Sequence, residues 1–124
     1  MNEMEILDHF GEILMKEVRD WAIYECDSAV SAVGGSQSVR RLLGKDRKLS
    51  EDERELLHAA IPDVVDKVLH YMMFMLEQYP EFELMVEGEN LNDISDGLAG
   101  ELYTEEGWIM RFSKERHEEP SLPD

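Results

Sequence analysis

Apolar positions recur with a helical period over most of the chain. In the stretch 3–33, Ile6, Leu7, Phe10, Ile13, Leu14, Val18, Trp21 and Ala29 fall on one side at 100° per residue, opposite Asp8, Glu12, Lys16, Arg19 and Asp27. That spacing predicts an amphipathic helix. Unbroken, it would be roughly 45 Å long, against about 35 Å for the width of a compact domain of this size. It must therefore bend, break or project toward a partner. Gly34 and Gly35 supply a stop, and Ser36-Gln37-Ser38 can cap a short basic helix ending near Gly44.

Ser50 followed by Glu53 is a capping box, opening a helix through Leu56, Leu57, Ala59 and Ala60. Pro62 kinks that helix or begins a new one, because it lacks an N–H and disfavours helical geometry at Ile61. From Pro62 to about Tyr79, the residues Val64, Val65, Val68, Leu69, Met72, Met73, Met75 and Leu76 form an apolar arc wide enough for a central core helix, and Pro80 ends it. The period then changes. Phe82 to Val86 reads as a strand stopped at Gly88, with Asn90 to Ile94 as its return. Tyr103 to Trp108 reads either as a helix start, with Thr104 as N-cap and Tyr103 stapled to Trp108, or as a hairpin with Gly107 in the left-handed position. The expected fold is mainly α (α+β): an irregular three- to four-helix bundle with a small C-terminal β-hairpin, one domain over residues 1–114 and a flexible acidic tail over 115–124.

Composition adds charge to this outline. The chain has 124 residues and a formal net charge of −17. Residues 1–27 carry 8 acids and 2 bases (−6), residues 28–50 carry 1 acid and 5 bases (+4), and residues 51–124 carry 20 acids and 5 bases (−15). The basic island of Arg40, Arg41, Lys45, Arg47 and Lys48 is placed to neutralise part of the acidic arms around it. The net balance disfavours binding to nucleic acid and to anionic membrane, and favours a basic partner. The single cysteine, Cys26, excludes an intramolecular disulfide and suits a reducing compartment, with the cytoplasm as default. No apolar run approaches the ~18 residues of a membrane span, and the acidic N-terminus is unlike a signal peptide.

Candidate chemistry is sparse. Glu55-x-x-His58 and Asp66-x-x-x-His70 have metal-ligand spacing, but a di-iron bundle needs the Glu-x-x-His pair twice and it occurs once. Asp52-x-x-Glu55 and Asp63-x-x-Asp66 have the spacing of a carboxylate magnesium site but straddle Pro62. Cys26 lies between Glu25 and Asp27, a setting that opposes a reactive thiolate, and reads as a core or boundary residue. Gly34-Gly35-Ser36 lacks the rest of a nucleotide loop. No cofactor or metal is expected. The pattern departs from ordinary amphipathicity at Phe74, which falls within about 80° of Asp63, Asp66, His70 and Glu77, opposite the apolar arc. An aromatic side chain ringed by carboxylates suits a binding hot spot aimed at a basic protein, unless the C-terminal hairpin covers it. Three functions follow: a non-catalytic module that sequesters or inhibits a basic partner, of immunity-protein or nucleic-acid-mimic type; a small metal-dependent hydrolase of a nucleotide or phosphorylated substrate; and an assembly subunit forming a homodimer through its long first helix. The first is the leading reading.

Overall fold

The computed structural model describes residues 1–30, 37–44 and 49–117. Helix α1 spans Glu3–Ile13, continues without a break through a π-helical segment, Leu14–Arg19, and runs on as α2, Asp20–Ala29. Helix α3 is Gln37–Leu43, α4 is Glu51–Gln78, and strands β1 (Met85–Val86) and β2 (Glu89–Asn90) form an antiparallel pair. The chain then makes helix α5 (Leu91–Ile94), a 3₁₀ turn (Ala99–Leu102) and helix α6 (Trp108–Phe112). The chain is mainly α with a small hairpin, as its patterning predicts. The Gly34-Gly35 stop, the Ser36 cap, Lys45, Arg47, Lys48 and residues 118–124 lie outside the described residues.

The first helix does not break; it changes pitch, and with it the face that is buried. Leu7, Gly11, Met15, Arg19 and Ile23 are all buried, at steps of four residues. In an α-helix each such step drifts by about 40°, so the series would leave the core. The π segment has i→i+5 bonding and one residue more per turn, and it turns the face back by about 100°. Its consequence contradicts the uniform 100° reading. Arg19, assigned to the polar side, is completely buried, while Val18 and Trp21, assigned to the apolar side, are exposed. Cys26 is exposed rather than a core residue.

Burying a guanidinium requires partners for its fixed fork of donors. Arg19 donates from Nε to Asp66 Oδ1 (2.7 Å) and from Nη2 to Asp66 Oδ2 (3.1 Å). It also donates to the Ser113 hydroxyl (2.6 Å) and to the carbonyl of Arg116 (3.0 Å). Asp20, the next residue, accepts from the Ser113 hydroxyl and the Lys114 N–H. Glu115 and Arg116, where sequence suggests a tail begins, are tied to the helices, Glu115 through its N–H to Asp20 and Arg116 through Asp27 and the His58 carbonyl.

Helix α4 opens with the anticipated capping box: Glu53 N–H donates to Ser50 Oγ (3.1 Å) and Ser50 N–H to Glu53 Oε1 (3.0 Å). It runs through Pro62 as one helix, so of the two outcomes expected there no new helix begins. The proline removes the N–H that would bond the His58 carbonyl, and Arg116 supplies the missing donor, with Nε 3.0 Å from that oxygen. At the far end Asn92 donates to the Leu76 carbonyl (2.7 Å). The apolar arc of α4 is only half covered. Leu69 and Met73 are buried, with Val65 and Leu76 packed beside them, but Val64, Val68, Met72 and Met75 are exposed.

The core joins Ile6, Leu7, Leu14 and Met15 of the first helix to Leu69 and Met73 of α4 and to Leu91, Leu98, Leu102 and Trp108. Trp108 lies on Gly11, where a Cβ would collide with the indole, and meets the edge of Phe10 at 5.7 Å. The hairpin is shorter than the sequence suggests. Glu87 and Gly88, with φ of 51° and 80°, turn it as a two-residue loop, and Asn90 then caps α5 by accepting from Asn92 N–H, ending the return strand. The 103–108 stretch follows neither expectation in full: a helix forms but Thr104 is not its N-cap, and no strand forms there, with Gly107 at φ −75° instead of the left-handed region. Helix α6 exists but begins at Trp108, because Thr104 adopts φ 74° and Gly107 N–H closes a turn onto its carbonyl (3.1 Å).

Replacing Arg19 with Met should cost about 3–5 kcal/mol in urea unfolding, the range for orphaning a partner of a buried ion pair. The double variant Arg19→Met/Asp66→Leu should recover part of that loss, since it leaves no unpaired carboxylate.

Candidate functional site

Where the C-terminal segment crosses α4, it leaves a cleft of about 650 Å³. Asp63, Asp66 and Lys67 line it from α4, and Tyr103, Arg116 and His117 from the opposite side. The helical i, i+3, i+4 spacing puts the three α4 residues on neighbouring positions of one face. The loop between the 3₁₀ turn and α6 brings Tyr103 to them. Burial, reinforced by the nearby Asp66 carboxylate, pushes the Tyr103 phenol above its ordinary value, so it remains a hydrogen-bond donor at neutral pH.

Tyr103 also belongs to a cluster of rings centred on His70. The His70 ring lies 5.7 Å from Tyr103, 5.0 Å edge-on from Tyr71, and nearly parallel to Phe74 (8° between planes, centroids 6.2 Å apart). His70 Nδ1 is enclosed without a hydrogen-bond partner among the described residues, as is Nδ1 of His117. Phe74 is not covered: it is 44% exposed.

The five residues singled out by sequence thus separate into distinct duties. Asp63 is exposed at the cleft, and Asp66 lies in it but is already engaged by Arg19. His70 and Phe74 form the stacked pair beside it. Glu77 instead accepts from the Ala99 N–H (3.0 Å) and holds the 3₁₀ turn. Tyr103 and His117 carry no sequence signal for this site, since only the tertiary fold brings them to α4.

Neither metal-ligand spacing develops into a centre. Among the described residues no three His, Cys, Asp or Glu side chains come together as a metal-binding group. Nor do the described ion pairs use the basic island. Arg111 forks onto Asp8 (2.6 and 3.0 Å), Arg116 onto Asp27 (2.7 and 2.8 Å), and Lys16 meets Glu12 one helical turn away. Arg40 and Arg41 are exposed. Among the described residues no helix is long and apolar enough to cross a membrane.

No protein-family model matches the chain, and no curated protein or solved structure is significantly similar to it.

Hydrogen bonds from Arg111 and Arg116 hold the carboxyls of Asp8 and Asp27 below the usual carboxylate range. Lowered folded-state values stabilise the fold above the unfolded carboxylate pKa of about 3.9, and that stability is lost as pH falls through the folded values. Melting temperature should therefore drop on acidification below about pH 4. Asp27→Asn should lower it at pH 7 and flatten the acid limb, as thermal unfolding across that range will measure.

Proposed function

We propose that the protein is a non-catalytic binding module of the cytoplasm that sequesters or inhibits a basic protein. The observation that carries this reading is Phe74. A large aromatic ring stays open to solvent on the face of α4 that bears Asp63, and its stacking on His70 fixes its orientation before any partner arrives. A pre-oriented aromatic anchor loses little side-chain entropy on binding, and such anchors supply much of the energy of protein interfaces. The surrounding charge fits a cationic partner. An excess of acids over bases speeds encounter with such a protein and discriminates against nucleic acid and anionic lipid.

Internal pairing narrows the acidic part of this face. Asp66 and Glu77 are committed to Arg19 and to the Ala99 N–H, which leaves Asp63 as the available carboxylate of the five, on the same face as the aromatic anchor but about three helical turns from it. The contact is accordingly smaller and more aromatic than a nucleic-acid mimic, which would need a continuous negative surface.

Protein captured from native lysate at low salt by the wild-type chain should be lost on Phe74→Ala and on Asp63→Lys. Removal of a hot-spot ring costs about 2 kcal/mol or more in binding. Unfolding free energy should change by less than about 1 kcal/mol, because the ring is half exposed. Equal capture by wild type and both variants defeats this reading, as does a stability loss of the ~3–5 kcal/mol typical of a core aromatic.

A further inference from the structure

A second surface on α4 has a different character. Leu57, Ile61, Val64, Val68, Tyr71 and Met75 follow one another at intervals of four and three residues, with Met72 and Tyr79 at the edge of the same stripe. Leu57 and Ile61 are half-buried, and from Val64 to Tyr79 the stripe is 39% to 66% exposed. It contains no charged residue over that length. The alternation of four and three is the seam of a helix that packs against another helix of the same pitch, with β-branched Ile61 and Val68 in equivalent positions one heptad apart.

We propose that this stripe is the interface of a homodimer, with α4 of one chain packed along α4 of a second copy across a two-fold axis. The occupant follows from three features. First, the stripe is free of carboxylates, so nothing in it selects the basic partner argued for Phe74, which lies about 120° around the helix from Val68. Second, an isologous contact needs a self-complementary surface, and a 3-4 seam supplies knobs and holes to a copy of itself. Third, these side chains leave on the order of 700 Å² open to a partner, close to the ~800 Å² per subunit of a stable interface and above the apolar patch an ordinary monomer leaves bare. The half of the apolar arc that the chain's own core does not use is thereby covered.

The two copies bring −17 each, so their mutual repulsion is screened by salt and dimerisation should tighten as ionic strength rises. Capture of a basic partner at Phe74 should weaken under the same change. The dimer does not rest on that function, and the opposite salt responses separate the failure of one from the failure of the other.

Sedimentation equilibrium of the full chain tests the proposal. The wild type should sediment at twice the 14.4 kDa chain mass. Val68→Glu, which would place a carboxylate in the seam, should weaken the dimer by on the order of 100-fold or more. Trp21→Glu, on the exposed side of the first helix, should leave it intact. Circular dichroism confirms that each variant is folded, and Val64→Lys replaces Val68→Glu if that chain unfolds. A wild-type monomer at about 100 μM, well above the ~1 μM Kd of a modest interface, overturns the proposal. So does a dimer that survives both seam substitutions, or one that Trp21→Glu dissociates while they do not.

Discussion

A fully buried arginine constrains everything around it, because its charge cannot be desolvated without partners and its planar fork dictates where those partners stand. Arg19 takes both oxygens of Asp66 on α4, the hydroxyl of Ser113 and the carbonyl of Arg116. Three separate parts of the chain are thereby fixed relative to one another, and the cleft lies along the junction they form. Asp66 is both a wall of the cleft and an anchor of the fold, so the site's geometry and the protein's stability share a side chain. The π segment makes this possible. Without the wide turn, position 19 would point to solvent.

Pro62 and Arg116 repeat the principle on the backbone. A proline inside a helix leaves the carbonyl four residues earlier without its donor, and here the guanidinium of Arg116 takes that place while also forking onto Asp27. The interruption in α4 is thus a docking point for the C-terminal segment. At Arg19 and at the His58 carbonyl, polar groups that local structure leaves unsatisfied are matched by groups distant in sequence, which favours one arrangement of the irregular bundle over others.

Features decided by nearest neighbours are legible in the sequence. The Ser50–Glu53 capping box, the end of α4 before Pro80, the short basic helix and the turn at Gly88 all depend on residues within a few positions of one another. Features decided by packing are not. A fixed angular period cannot register a π turn, so it misplaces Arg19, Val18 and Trp21 together. Pro62 signals a kink or a new start by local rules, and only the distant Arg116 shows why one helix persists. The breadth of the apolar arc on α4 is legible in the sequence, but periodicity cannot say which half meets the chain's own core. At the site, Phe74 stands out in the sequence as an apolar residue among polar ones, whereas Tyr103 and His117 reach it only through the fold.

The partners of Arg19 also set an order of events. Ser113 and Arg116 lie 94 and 97 residues further along the chain. On a ribosome, the first helix and α4 emerge long before the groups that complete the arginine's shell. Contacts of such sequence separation form late, because loop closure must come first. The nascent helices would therefore meet as a loosely joined pair with a hydrated guanidinium between them. Water would leave that space only when the segment from Ser113 to Arg116 arrives, which makes that segment the closing stroke for this junction.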